Sequence, residues 1–204
     1  MSFVRGAVAA ALGVVLVAAV PGLAAQSAEP AQLIIGAYGG QYTHFTNLTN
    51  TTPTADFRPG FNLGVTVGFH LSPVVSLHSD FMLARSRARG LASFAGATVD
   101  RLLLGEHLEL ATDMGSGVRG YVFGGGGMVR VTQSSTVPSG DGFNAFWKPA
   151  AMGGVGMFIN VPRSNLDVMI EGKVLGYEFD RAGFDRVLWD ATLGLGLAYR
   201  IALR

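Results

Sequence analysis

From Val187 to Leu203 the chain reads "VLWDATLGLGLAYRIAL", and it changes character at every second residue. Trp189, Leu193, Leu195, Leu197, Tyr199 and Ile201 occupy odd positions, whereas Asp190, Thr192, Gly194, Gly196, Ala198 and Arg200 occupy even ones. A helix would need apolar residues three and four apart; only a strand sends alternate residues to opposite faces. This segment is therefore predicted to be a strand with one large apolar face and one small or polar face. A strand of this kind must pair along both edges, so it constrains the rest of the chain.

The same alternation recurs. Phe61, Leu63, Val65, Val67 and Phe69 share a face against Asn62, Gly64, Thr66, Gly68 and His70. Val75, Leu77, Phe81 and Leu83 oppose Ser76, His78 and Asp80, and Leu166, Val168, Ile170 and Val174 oppose Asp167, Glu171 and Lys173. Eight such segments are expected, near 33–44, 59–70, 74–86, 98–111, 118–132, 146–161, 165–178 and 187–203. The connections after the second, fourth and sixth are short ("LSP", "TDMGSG", "PRS"); the others are longer and polar. Alternating short and long connections predict an all-β, eight-stranded up-and-down antiparallel barrel.

The first 25 residues stand apart. "MSFVR" carries one charge, Gly6 to Val20 is uninterruptedly apolar, and "PGLAAQ" ends the run with small residues. That order is the pattern of a secretory signal peptide. Residues 1–25 are expected to be a signal peptide and residues 26–204 the barrel domain. Without Arg5, the 15 Lys and Arg become 14 and balance the 14 Asp and Glu, so no basic surplus points to nucleic acid. There is no Cys, hence no disulfide and no thiolate metal site or nucleophile.

Two exported barrels fit eight strands: a soluble ligand binder with its apolar face inward, and a membrane barrel with its apolar face outward. The second face decides between them. It carries mostly Gly, Ala, Ser and Thr with sparse charges of both signs, which suits a cramped interior better than a water-facing surface. The apolar stretches also reach the ~9–11 residues that cross a bilayer. Tyr121, Trp147, Trp189 and Tyr199 lie near segment ends, where interface aromatics belong. The fold class is thus a transmembrane β-barrel preceded by a signal peptide. One strand resists. Glu106 shares a face with Leu102, Leu104, Leu108 and Leu110, so either a bulge near Gly105 turns it inward or it packs against a partner.

The stretches "GFNLGVTVGFHLSPVVSLHSDFMLA", "YVFGGGGMVRV" and "GGVGMFINVPRSNLDVMIEGKVLGYEF" resemble the outer-membrane β-barrel domain family of Gram-negative bacteria, of the small OmpA/OmpX-like type. The resemblance spans essentially the whole mature chain. It implies a monomer in the outer membrane, contact with lipids and lipopolysaccharide, and insertion by the barrel-assembly machinery. The family's last strand usually ends in an aromatic residue; this one ends Leu203-Arg204. The implied role is structural or surface-interacting, with no open pore, no enzyme activity and no cofactor. The alternatives are a soluble periplasmic ligand-binding barrel and a lipid-modifying outer-membrane enzyme.

The candidate site is a polar network in the barrel interior: His78, Asp80, Glu171 and Lys173 near mid-height, Arg101, Arg130 and Asp190 higher, and Arg200 on the last strand. Charges in so narrow a space must pair, so the network is read as a plug rather than an ion path. His78 and Ser79 are adjacent and point to opposite faces, which separates a base from a nucleophile. His44, His70 and His107 fall on different strands, which argues against a metal site. "NLT" from Asn47 and "NTT" from Asn50 match glycosylation acceptors but read as a polar loop tip; Arg85, Arg87 and Arg89 read first as a solvated loop, with a basic rim for lipopolysaccharide phosphates as the alternative. Finally, Gly124 to Gly127 are read as mid-strand, with Gly124 and Gly126 inward and Tyr121, Phe123, Val129 and Val131 on the lipid side.

Overall fold

The computed structural model describes residues 32–48, 56–89, 96–133, 144–180 and 185–203. The signal-peptide segment and the triplet at Asn50 lie outside these residues. Eight long strands dominate: β1 (Gln32–His44), β3 (Gly60–His70), β4 (Val75–Arg89), β5 (Thr98–Gly115), β6 (Val118–Gln133), β7 (Phe146–Asn160), β8 (Leu166–Phe179) and β9 (Arg186–Ala202). A two-residue strand, β2 (Asp56–Phe57), pairs with the end of β4. Each long strand pairs antiparallel with its neighbour in sequence, and β1 pairs with β9 along its whole length, from Gln32↔Ala202 to His44↔Asp190. The sheet has closed into an up-and-down barrel, as the alternation required.

Closure is staggered. A ring of directly paired residues runs Ile34, Gly68, His78, His107, Gly125, Met152, Leu175 and Asp190, then returns to β1 at His44, ten residues from its start. Strand number and stagger together fix the width of a barrel, and at eight strands side chains just fill the interior. The three short connections and both ends of the sheet lie at one rim, the turn end. The tightest turn there uses Gly115, Ser116 and Gly117, all at positive φ, a geometry that Gly adopts without penalty.

The large apolar side chains predicted to point outward do so on β3, β4, β8 and β9. Phe61, Leu63, Phe81, Leu193, Leu195 and Leu197 are all exposed. Trp147, Trp189 and Tyr199 join them on the outer face. Two expectations fail on β6. Tyr121, Phe123, Val129 and Val131 are buried inside, and the inward glycines are Gly125 and Gly127, not Gly124 and Gly126. Both faces of β6 carry apolar residues, so its own alternation is ambiguous. Pairing with β5 resolves it, because Leu103 opposite Val129 and Glu109 opposite Phe123 must share the inner face.

The inward glycines exist for close approach. A Cβ on Gly125 would strike the Glu106 carbonyl oxygen and lie 2.6 Å from the His107 Cα. A Cβ on Gly68 would strike the His78 ring. These two positions make room for the two imidazoles that fill the middle of the barrel. Gly172, by contrast, has only one atom near its open side, 3.9 Å away. Gly125→Ala should therefore destabilise the folded barrel by about 1–3 kcal/mol, while Gly172→Ala should stay within about 0.5 kcal/mol. Urea unfolding in phospholipid vesicles measures both.

Candidate functional site

The interior polar groups are stacked in tiers along the barrel axis. In the middle tier the Lys173 ammonium donates to the Asp80 carboxylate, and lies 3.1 Å from Glu171 Oε1 and 3.3 Å from the Tyr38 hydroxyl. Tyr121 donates to Glu171 at 3.0 Å. The His107 ring lies 3.6 Å from Asp80 and stacks on His78 with centroids 5.2 Å apart and planes 9° from parallel. His78 in turn lies 3.4 Å from Glu109. Every charged member of this tier is buried. A buried ion is tolerable only when paired and hydrogen-bonded, and Lys173 meets both conditions.

The tier at the loop end centres on Arg101. It donates to the Tyr177 hydroxyl at 2.7 Å and to Ser86 at 2.8 Å, and its Nε lies 3.8 Å from Asp190. Asp190 also accepts from Tyr42 and pairs with His44. Phe57 of β2 lies over the guanidinium, 4.4 Å from its ring centroid, and packs with Phe179. Phe179 packs in turn against Phe146, and all three rings are buried.

Between these tiers lies a layer of mostly apolar packing. On β4 the inward residues between Asp80 and Ser86 are Met82 and Ala84; on β5 Leu103 separates Arg101 from His107; on β8 Leu175 separates Lys173 from Tyr177. Two buried polar side chains share the layer: Asn62, which donates to Met82 Sδ at 3.6 Å, and Thr192, paired with Lys173. Met82, Leu103 and Leu175 are almost wholly buried, and Met152 packs into the space that a side chain on Gly105 would take. The turn end holds a third set, with Arg200 Nε 2.9 Å from Asp167 and Arg119 4.0 Å from Glu109. The arrangement can neutralise and fix charge.

Of the eight residues expected inside, His78, Asp80, Arg101, Glu171, Lys173 and Asp190 are there and paired. Arg200 points inward but lies half-exposed at the turn end. Arg130 is a correction: it stands exposed on the outer face, because β6 presents its odd positions to the interior. Tyr121 is another, since it serves the network rather than an interface. His107, on a different strand from His78, is paired directly opposite it. Glu109 was missed, although it shares the alternation of Arg101 and His107.

The arginine rim also changes. Arg85, Arg87 and Arg89 belong to β4 and not to a loop. Arg85 forks onto Asp100 at 2.6 and 3.1 Å, and Arg89 onto Asp56 at 2.9 and 2.5 Å. Glu106 is settled as well: no register shift occurs at Gly105, and the carboxylate points outward, accepting from the Ser79 hydroxyl at 2.8 Å. Ser79 and His78 face opposite sides, as expected.

Losing one partner of a buried pair strands the other charge. Lys173→Met should cost about 3–5 kcal/mol, because Asp80 and Glu171 are left facing each other. Arg130→Ala should change stability by no more than about 0.5 kcal/mol. Urea titration of the heat-sensitive gel shift compares the two.

No family model matches the sequence, and no curated protein matches it by sequence. Solved structures match by shape. Neisserial surface protein A superposes with a TM-score of 0.58 at 10% identity, over 85% of this chain and 99% of that one. OprG, an outer membrane protein of Pseudomonas aeruginosa, gives 0.54 at 13% identity over 85% and 97%. The N-terminal β-barrel domain of Pseudomonas aeruginosa OprF gives 0.50 at 15% over 83% and 97%. At such identities the likeness is one of architecture: this chain has the fold of the small eight-stranded outer-membrane barrels.

Proposed function

We propose that the chain is an integral outer-membrane protein, exported by way of a signal peptide at residues 1–25, with a structural or surface-interaction role. The observation that carries this reading is the inversion of the barrel: apolar side chains outside, paired charges inside. In water the outer face would leave Phe61, Leu63, Leu193, Leu195, Leu197 and their neighbours exposed as one continuous apolar surface, far beyond what soluble proteins display. In a bilayer the same surface is matched by acyl chains, and closure leaves no unpaired strand edge. This counts against a soluble ligand-binding barrel.

The filled interior supports a role without conduction. Met82, Leu103, Met152 and Leu175 occupy most of the space between the polar tiers, beside buried Asn62 and Thr192, and Phe57 lies over the Arg101 guanidinium. What such a barrel offers its surroundings is its loop-end rim and the connections above it. Exposed Arg58, Arg87 and Arg130 supply positive charge there, suited to the phosphates of lipopolysaccharide. Insertion by the barrel-assembly machinery belongs to the same reading. A lipid-modifying enzyme is disfavoured because the His78 imidazole and the Ser79 hydroxyl lie on opposite sides of the wall.

Two measurements test this. The expressed protein should sediment with outer membranes and change gel mobility on boiling; recovery in the soluble periplasmic fraction would sink the membrane reading. Purified barrels in planar lipid bilayers should give no steady conductance. Discrete, long-lived current steps would overturn the reading without conduction.

A further inference from the structure

Strand β2 is the far end of β3, displaced by a bulge. Phe57 pairs with Ala88 and Phe61 with Arg85, so four steps along one chain oppose three along the other. The extra residue lies within Arg58-Pro59-Gly60, where Pro59 has no amide to give to the ladder. Plain alternation from the outward Phe61 would send Phe57 outward and Arg58 inward. The bulge reverses both: Phe57 is buried over Arg101, and Arg58 is exposed. Bulges commonly re-aim side chains in this way. Arg58 thereby comes to face Arg87 on β4, whose carbonyl accepts from the Arg58 amide at 2.8 Å, and Arg87 is outward and exposed as well.

Like charges opposed across two strands destabilise a sheet, and the neighbouring acids do not relieve this pair. From Phe45 to Asp100 the chain carries four arginines and three acids. Asp80 is inside with Lys173, Asp56 is forked by Arg89, and Asp100 is forked by Arg85. Arg58 and Arg87 are left over, between the two forks. Among the described residues neither guanidinium has a hydrogen-bond or ion-pair partner. Arg87 stands four residues beyond Leu83, the last outward leucine of β4, or about 13 Å along the strand. That is above the apolar belt, at the depth of lipid headgroups.

We propose that Arg58 and Arg87 together seat the phosphomonoester headgroup of an outer-leaflet lipid. The inference rests on the membrane reading above and narrows its loop-end charge to one site. A guanidinium meets phosphate oxygens two at a time. Two guanidiniums balance a phosphomonoester, which carries about −1.5 to −2 charge at neutral pH; a phosphodiester, with a single charge, leaves one of them unbalanced. The flanking forks keep Asp56 and Asp100 from competing for the seat. Phe61, exposed one row below beside Arg85, gives the acyl chains an apolar surface. Arg130 does not contribute, since it stands two strands away, level with Leu102 and Trp147.

Native mass spectrometry of the folded barrel in detergent tests the seat, with phosphatidic acid as the phosphomonoester lipid and phosphatidylglycerol as the phosphodiester. The protein should retain one phosphatidic acid in preference to phosphatidylglycerol. Arg58→Gln and Arg87→Gln should each weaken that retention roughly tenfold, whereas Arg130→Gln, which removes an exposed cation elsewhere on the rim, should leave it unchanged. Inorganic phosphate at the concentration of the lipid should not displace it; displacement would assign the seat to a free anion and overturn the lipid. Equal retention of both lipids, equal loss in all three variants, or no loss in Arg58→Gln and Arg87→Gln would overturn the seat and leave the membrane reading standing. The boiling-dependent gel shift reports folding in every sample. Chains that show no shift and are recovered without detergent would overturn the membrane reading, and this inference with it.

Discussion

Everything in this molecule depends on the pairing of its first and last long strands. From Gln32↔Ala202 to His44↔Asp190 the seam between β1 and β9 is continuous. It converts a sheet with two open edges into one with none. In hydrocarbon an unpaired backbone group costs several kcal/mol, so an apolar outer surface is affordable only once the ladder is closed. The outward leucines, the inward charges and the glycines between them all presuppose that seam.

Closure also creates the problem that the interior solves. A barrel of eight strands leaves no room for bulk water, yet its inner face carries Lys173, Arg101, Asp80, Glu171, Glu109 and Asp190. The solution is local neutralisation with tyrosines as intermediaries. Tyr38 and Tyr121 serve the Lys173 tier, and Tyr42 and Tyr177 serve Arg101 and Asp190. A phenol supplies a hydrogen bond and packs as an apolar ring, which is what a crowded ionic core needs. Glycine at positions 68 and 125 removes backbone bulk where His78 and His107 enter.

The sequence made the strands, their order and most of their faces legible, because alternation is a local signal and four of the strands display it cleanly. It failed where one strand is apolar on both sides. On β6 the reading of Tyr121, Val129 and Arg130 was reversed, and only the register with β5 puts it right. Register is a property of pairs of strands, invisible to any single segment. The same limit hid the meeting of His78 with His107 and the role of Glu109. Single-strand alternation found six members of the interior network, but could not say who pairs with whom. Phe57 escaped notice because β2 has two residues and no periodicity to read.

The ten-residue stagger of the closed sheet constrains how this chain can change over time. Adding or removing residues within any one strand would shift that strand against both neighbours, and the mismatch would travel round the wall to the seam. Point substitution is then the main kind of change open to the strands. The long connections carry no such constraint on their length, except that the first must still deliver β2 to its pairing with β4 and Phe57 to Arg101. A barrel of this kind keeps its wall nearly constant in length while the connections above it are free to vary in length.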